Sequence, residues 1–320
     1  MTFKNISLIA VLIGSVLFTQ CKKDENEDPT PTPTTPNNPV APATIAQVFA
    51  QNGVQAATTQ ADMSISQTAT LSGVNMTMPV NAFVDAVTGI PVIGNVDVSI
   101  KGIFTKKDII LTGAPANSAG KLIATKGCIK VNASQNSQTL RVNPNTNLYI
   151  NVPEPGTPVS NLKKFYAQQI SVNDTNKVWR PAVDTNSLVA LFDTVSQKYY
   201  YKARLDSVAW LNTGYEWDTT ATKTTVAISL DTTYNSNNST VYISLNGKMV
   251  VGALYPQGGG SYTINNIPIG QNVYFVVIAV KNGTYYSAFS AATITPNYSN
   301  TLAPQATTLS AIQSQLLLLP

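Results

Sequence analysis

Glu216 and Asp218 stand two residues apart in "TGYEWD", with Trp210, Tyr215 and Trp217 close by. On a strand, positions i and i+2 share a face, so both carboxylates would project together. A pair of carboxylates is the minimum equipment for hydrolysing a glycosidic bond, and aromatic rings beside it offer a platform for a sugar. Glu154 and Glu216 are the only glutamates outside the segment Lys22–Asp28, so this is the one close acidic pair near aromatics. A hairpin carrying surface charges gives the same pattern. The expectation is therefore a chain that is not an enzyme and needs no cofactor. Tyr215 and Trp217, with charged neighbours, are the candidate glycan-binding residues, and Trp210 is expected to pack in a core.

Other chemistry is poorly supplied. The sequence has no histidine, which removes the commonest general base, the Ser-His and Cys-His couples and most zinc sites. Two cysteines are present, Cys21 and Cys128. Cys128, in "KGCIKV", has alternating neighbours and is expected to pack as a small apolar residue on a strand. "VNDTN" and "DTTYNSNN" are rich in oxygen ligands for calcium, but turns select the same residues, and no metal site is expected. "GAPANSAG" (Gly113 to Gly120) lacks the lysine and hydroxyl spacing of a phosphate-binding loop and reads as structural.

The 320 residues suffice for two domains with real cores. Hydrophobic content is 43%, as in globular proteins, but charged content is only 11%, with Thr, Asn, Ser and Gln filling the gap. Neutral polar residues suit the exposed positions of secreted β-proteins. The net charge of +4 is dispersed. Lys106-Lys107 and Lys163-Lys164 are pairs rather than a stripe, and no nucleic-acid partner is expected.

The N-terminus carries the strongest functional signal. Lys4 precedes "ISLIAVLIGSVLF" (Ile6 to Phe18), an uncharged run too short for a spanning helix of about 20 residues and of signal-peptide length. "LFTQ" and then Cys21 follow, and this resembles a bacterial lipoprotein signal with a relaxed lipobox. The resemblance implies removal of residues 1–20 and attachment of acyl chains such as palmitate to Cys21. Several chains, at about 0.8 kcal/mol per buried methylene, anchor effectively permanently. Lys22, Lys23, Asp24 and Glu25 open "KKDENED", which resembles the export signals of Bacteroidota surface lipoproteins. The alternative is a charge run that only keeps the tether soluble. "PTPTPTTPNNPVAP" admits neither helix nor sheet and should form a polyproline spacer. Residues 21–42 then reach roughly 60 Å from the membrane. The tether Lys22–Asp28 has two lysines against four acids, and the rest of the mature chain 17 basic against 12 acidic residues. Weak, salt-dependent attraction to anionic surface polymers follows.

Beyond the tether, "TIAQVFAQNG" places Ile45, Val48 and Phe49 on one helical face with Gly53 after it. "VDVSIKGIF", "CIKVNA" and "LYINVP" alternate apolar and polar residues as half-buried strands do. Short strands between turn signals indicate an antiparallel sandwich. Pro79 to Asp85 ("PVNAFVD") and Lys107 to Leu122 ("KDIILTGAPANSAGKL") resemble an uncharacterised family of Bacteroidota surface lipoproteins whose first domain is a ZU5-like sandwich. The resemblance covers roughly residues 70–155. It departs at "ATKGC" (Ala124 to Cys128), and it brings no catalytic residues. Phe165-Tyr166 followed by Trp179, and "LDSVAWLNTGYEWD" (Leu205 to Asp218), resemble the same family, with Ala209 and Gly214 as departures.

In the second half, "YYYKARLDSVAWL" reads as one long strand. Asn246-Gly247 and Asn282-Gly283 sit between alternating runs, the strongest short-range sign of a two-residue hairpin. "SYTINNIPIGQNVYF" resembles a turn of transthyretin-like and carboxypeptidase-regulatory sandwiches. "TTLSAIQSQLLLL" is expected to be a short helix whose leucines pack in a core. Asp193-Thr194-Val195, Asp206-Ser207-Val208, Asp218-Thr219-Thr220 and Asp231-Thr232-Thr233 resemble the O-glycosylation acceptor of Bacteroidota, which makes Thr194, Ser207, Thr219 and Thr232 candidates.

The expected architecture is all-β: two antiparallel β-sandwich domains over residues 43–160 and 200–320, joined by a connector at 161–199. The expected function is a lipid-anchored outer-membrane protein facing the cell exterior that binds or supports without catalysis. Its partners would be the membrane, through the anchor, and a surface glycan or an envelope protein. The alternatives are a surface glycan-acting enzyme or glycan-binding protein using the Glu216/Asp218 region, and an accessory subunit of an outer-membrane complex.

Overall fold

The computed structural model describes residues 41–118, 120–154, 156–168, 178–183, 188–217 and 220–320. The apolar run expected to be a signal peptide lies outside the described residues, as do Cys21, Lys22, Lys23, Asp24, Glu25, Asp218 and Thr219. The protein is all-β, with two layered sheet pairs and three short helices among the described residues.

Helix α1 (Ile45–Asn52) begins where expected, because Thr44 and Gln47 cap each other. The Thr44 hydroxyl accepts from the Gln47 amide, and the Gln47 side chain accepts from the Thr44 amide. Gly53 follows with an extended backbone. A Cβ there would stand 2.7 Å from the Phe49 carbonyl oxygen, so close approach explains the glycine.

The first sandwich then runs through β1 (Ala57–Asp62), β2 (Gln67–Leu71), β3 (Val74–Met78), β4 (Phe83–Asp85) and β5 (Asn95–Ile103). After α2 (Lys106–Leu111) come β6 (Asn117–Ser118), β7 (Lys121–Gln135), β8 (Gln138–Val142) and β9 (Tyr149–Glu154). It is completed by β10 (Lys163–Gln168), β11 (Val178–Pro181), β12 (Leu188–Asp193), β13 (Lys198–Arg204) and β14 (Trp210–Trp217). One sheet runs β1-β5-β7-β14-β10-β11-β6, with β4 and β8 attached, and the facing sheet runs β12-β13-β9-β3-β2. Val96, Val98 and Ile100 of β5, Ile129, Val131 and Ala133 of β7, and Ile150 and Val152 of β9 fill the space between. These are the alternating residues read from the sequence.

The second sandwich comprises β15 (Lys223–Ser229), β16 (Ser239–Leu245), β17 (Val251–Ala253), β18 (Tyr255–Gly258), β19 (Ser261–Pro268), β20 (Asn272–Lys281), β21 (Thr284–Thr293), β22 (Ser299–Thr301) and β23 (Gln305–Thr307). Its sheets are β18-β19-β15-β22 and β17-β16-β20-β21-β23, and α3 (Leu309–Leu317) follows. Two pairings are parallel, β15 with β22 and β11 with β6, so neither sandwich is wholly antiparallel.

A third core joins the two sandwiches. It unites Ile45 and Val48 of α1, Ile109 and Ile110 of α2 and Ile312 and Leu316 of α3 with Val276, Ile278 and Val280 of β20, Cys128, Phe165 and Trp179. Cys128 is buried there as a packing residue, as its neighbours implied. The "GAPANSAG" loop is structural too. The Asn117 amide exchanges two 2.9 Å hydrogen bonds with the Ala253 backbone, and Pro115 accepts from the Trp179 indole at 2.7 Å.

Several expectations need correction. The boundary at residue 200 falls inside β13, and strands β10, β13 and β14 pair into the first sandwich: β14 with β7 and β10, β13 with β9. "YYYKARLDSVAWL" is broken at Leu205–Ala209, because the chain there crosses from one sheet to the facing one. Asn282-Gly283 is a two-residue turn with φ of 50° and 77°. Asn246-Gly247 instead lies in a longer loop between β16 and β17, where only Gly247 has positive φ. The Leu245 carbonyl there accepts from the Lys106 ammonium at 2.6 Å and Leu245 N–H bonds Val250. Of the final leucines, Leu316 is buried, but Leu317 and Leu318 are exposed.

Candidate functional site

A cavity of about 580 Å³ opens at the β12–β13 end of the sheet β12-β13-β9-β3-β2. It is lined by Asn75, Asn151, Phe192, Asp193, Tyr199 and Tyr200, among others. Strand alternation explains how one cavity gathers such different groups. Ile150, Val152 and Glu154 point to the core side of β9, so Asn151 and Pro153 stand on the other face. Asn75 pairs with Asn151, Tyr200 with Pro153, and Tyr199 with Glu154. The cavity takes residues of both faces: Asn75, Asn151 and Tyr200 by register from one, Phe192 and Tyr199 from the other.

The hairpin that closes it is held by its own side chains. Asp193 accepts from the Val195 amide at 2.9 Å and the Ser196 hydroxyl at 2.6 Å. These two bonds hold its carboxyl below the usual range. Phe192 and Tyr199 pack ring against ring across the ladder, centroids 4.8 Å apart, yet remain 44% and 40% exposed. At the floor, buried Glu154 meets Lys126 at 2.9 Å and accepts from the Gly156 amide at 2.9 Å. Tyr201 beside it accepts from Val159 N–H at 2.7 Å. Burial pushes the Tyr201 phenol up, against that hydrogen bond, with a smaller push from Glu154.

A second cavity, about 390 Å³, lies by Arg141, Asp206, Ser207 and Val208. Next to it the fully buried Lys164 ammonium donates to Asp206 at 2.7 Å and to the Arg204 carbonyl at 3.0 Å. The Tyr166 hydroxyl donates to the same carboxylate and accepts from its backbone amide. This network braces the crossover between β13 and β14, since removing one partner would leave a buried charge unpaired.

The sequence-derived candidates fare unevenly. Trp217 is only 8% exposed and belongs to the second sandwich's core, and Tyr215 packs against the same cluster. The reading of Trp217 as a sugar platform is thereby corrected: β14 is an interior strand whose Trp217 side is covered by the second domain. Glu216 pairs with Lys121 at 2.9 Å. Trp210, expected in a core, is half-buried and packs against the third core, with the Lys130 ammonium 5.8 Å from its ring. Thr194 is exposed and lines the large cavity, and Thr232 is exposed in a turn, whereas Ser207 is half-buried. Asp193 and Asp231 each cap the amide two residues on, as Asp62 and Asp85 do. An Asp that caps the amide two residues on thus records turn chemistry as readily as a modification site. Among the described residues no three His, Cys, Asp or Glu side chains cluster as metal ligands.

The cavity itself was missed. Its signal was "LFDTVSQKYYYK" (Leu191 to Lys202), a turn flanked by aromatics on both strands, which had been divided between connector and second domain.

No family model matches the sequence, and no curated protein does. Among solved structures, Gamma-CGTASE from alkalophilic Bacillus clarkii shares 9% identity with this chain, covering 76% of this chain and 40% of that one, with a TM-score of 0.17. The chain thus spans less than half the length of that structure, and at that score the likeness carries no argument about fold or function.

Proposed function

We propose that the protein is a lipid-anchored surface protein that binds through its β-sandwich face and performs no catalysis. Cys21, after the signal-like run, is the acylated anchor, and Lys22–Asp28 directs export to the outer face of the outer membrane. The observation that carries the binding reading is the cavity beside Phe192, Tyr199 and Tyr200, where aromatic rings are left open at the end of a sheet. Exposed aromatics with a polar surround are binding chemistry. The two glutamates outside the tether meanwhile bond lysines at 2.9 Å, an arrangement that supports structural roles for both.

The test is labelling of cells with an alkyne-bearing palmitate analogue, followed by protease treatment of intact cells. Label is expected on the native protein and absent from Cys21→Ser, and protease is expected to remove the globular part. Neutral residues in place of Lys22–Asp28 are expected to protect it. Label on Cys21→Ser, or protection of the native protein, would sink the reading. A hydrolytic activity lost in Glu216→Gln with folding retained would favour the enzyme instead.

One observation favours the accessory-subunit reading. Ile65, Val80, Val87, Ile90 and Ile93 are exposed on adjoining loops, which Met63 links through hydrogen bonds to Asn81 and Gly94. Aliphatic surface of this kind suits an apolar protein partner. An envelope protein that co-purifies with the native chain but not with Ile90→Asp would support it.

A further inference from the structure

We infer that the cavity at the β12–β13 hairpin is a binding site for an uncharged oligosaccharide. The inference rests on the binding reading above and names its ligand class.

The first ground is electrostatic. Three charged side chains line the cavity: Glu154, Asp193 and Lys198. Glu154 is matched by Lys126 and the Gly156 amide. Asp193 is occupied by the Val195 amide and the Ser196 hydroxyl. Neither Asp193 nor Lys198 is in an ion pair among the described residues. A phosphate or an acidic polymer is held by several converging cations, and one lysine beside two carboxylates does not provide them. The site suits a ligand without charge.

The second ground is the pairing of rings with amides. Phe192, Tyr199 and Tyr200 line the same space as Asn75 and Asn151. The Thr70 hydroxyl donates to Asn75 Oδ1 at 2.7 Å. That bond turns the amide so that its N–H groups remain available as donors. The Asn151 amide has no protein partner among the described residues. A pyranose ring has an apolar C–H face and an edge of hydroxyls, so it asks for an aromatic surface beside amide donors and acceptors. A volume of about 580 Å³ lies within the range of small-ligand sites, roughly 300–1,000 Å³.

The third ground is preorganisation. The Asp193 turn and the Phe192–Tyr199 contact fix the hairpin before any ligand arrives, which reduces the entropy lost on binding.

The experiment is affinity electrophoresis of the full-length protein in detergent, through native gels containing mannan, xyloglucan, dextran or, as the acidic control, polygalacturonate. The native protein is expected to be retarded by at least one neutral polysaccharide. Tyr200→Ala and Asn151→Ala are expected to weaken that affinity about tenfold each, equivalent to about 1.4 kcal/mol, with unchanged melting temperatures. Asn151 serves where Tyr200→Ala fails to fold. No retardation by any neutral polysaccharide, equal retardation of both variants, or retardation by polygalacturonate alone overturns the proposal. Release of bound polysaccharide by an extended peptide added to the gel would assign the site to strand addition at the β12 edge and overturn it as well. Failure here leaves the palmitate and protease results untouched, so it is separable from failure of the anchored reading.

Discussion

The inner sheet of the second sandwich and the β12–β13 end of the first are built to opposite specifications. Every residue of β16 is buried, because one face of its sheet packs on β15 and β19 while the other supports the three helices. No residue of β12 is fully buried, and its partner strand keeps large rings in solvent. A strand covered on both sides does structural work, and every substitution there disturbs close packing. An uncovered edge with aromatic side chains contributes little to the core and leaves its surface for a ligand. The difference teaches that function is to be sought at the first sandwich's free end, away from the junction where the sequence drew attention to Trp217.

That contrast is sharpest at Trp179, which is fully buried in the junction and bonded to Pro115. Trp179→Ala is expected to cost about 3–5 kcal/mol, read as the shift of a urea unfolding transition. If it proves harmless, the junction does not hold the two sandwiches together. Gly214 comes next. It lies where the β7–β14 register shifts, and a Cβ would stand 2.6 Å from the Ala124 carbonyl oxygen. Gly214→Ala should cost about 1–3 kcal/mol, measured in the same way.

A change at the open end should cost less. Phe192→Ala is expected to lose under about 1.5 kcal/mol, the scale of one exposed aromatic pair, while altering ligand binding if the cavity is the site. A loss as large as that of Trp179→Ala would erase the contrast. A pH-dependent effect concerns Lys106, whose ammonium donates to Leu245 O and Pro320 O. Burial lowers its pKa from 10.5 to about 8. The native state therefore releases this proton before the unfolded state does, so stability rises as pH climbs from about 8 towards 10.5. Lys106→Met should flatten that rise in the unfolding midpoint, and a flat native profile would contradict the assignment.

Acid should act in the opposite sense at the turns. Hydrogen bonds hold Asp62, Asp85, Asp193 and Asp231 below 3.8, so their contribution is present above that pH and lost as pH falls through the lowered values. Asp193→Asn should remove part of the acid sensitivity of amide exchange in the Thr194–Gln197 turn while leaving that of Asp231 unchanged.

Much of the local architecture was legible because it is written in neighbouring residues. Alternation in β5, β7 and β9 follows from the two-residue period of a strand with one buried face. The start of α1 follows from Thr44 and Gln47, and the tight turn before β21 from Asn282-Gly283. The same logic failed wherever a distant segment intervened. "YYYKARLDSVAWL" holds aromatic and apolar residues throughout, and nothing within it shows that Leu205–Ala209 crosses between sheets. Trp217 carries charged neighbours in sequence, but its cover comes from the second sandwich. Asn246-Gly247 has the composition of a tight turn, while Lys106, 139 residues away, takes the Leu245 carbonyl.

By itself, then, the sequence determined the all-β class, the strand faces, the start of α1 and an N-terminal pattern that resembles a lipoprotein signal. These depend on short-range periodicity, capping and composition. Only the tertiary structure decided that strands β10–β14 complete the first sandwich, that Glu216 and Trp217 are spent on pairing and packing, and that Asn75, Asn151 and Tyr200 meet at one cavity. Strand pairing over long separations brings such residues together, and the pairing free energy resides in contacts that no single stretch of chain contains.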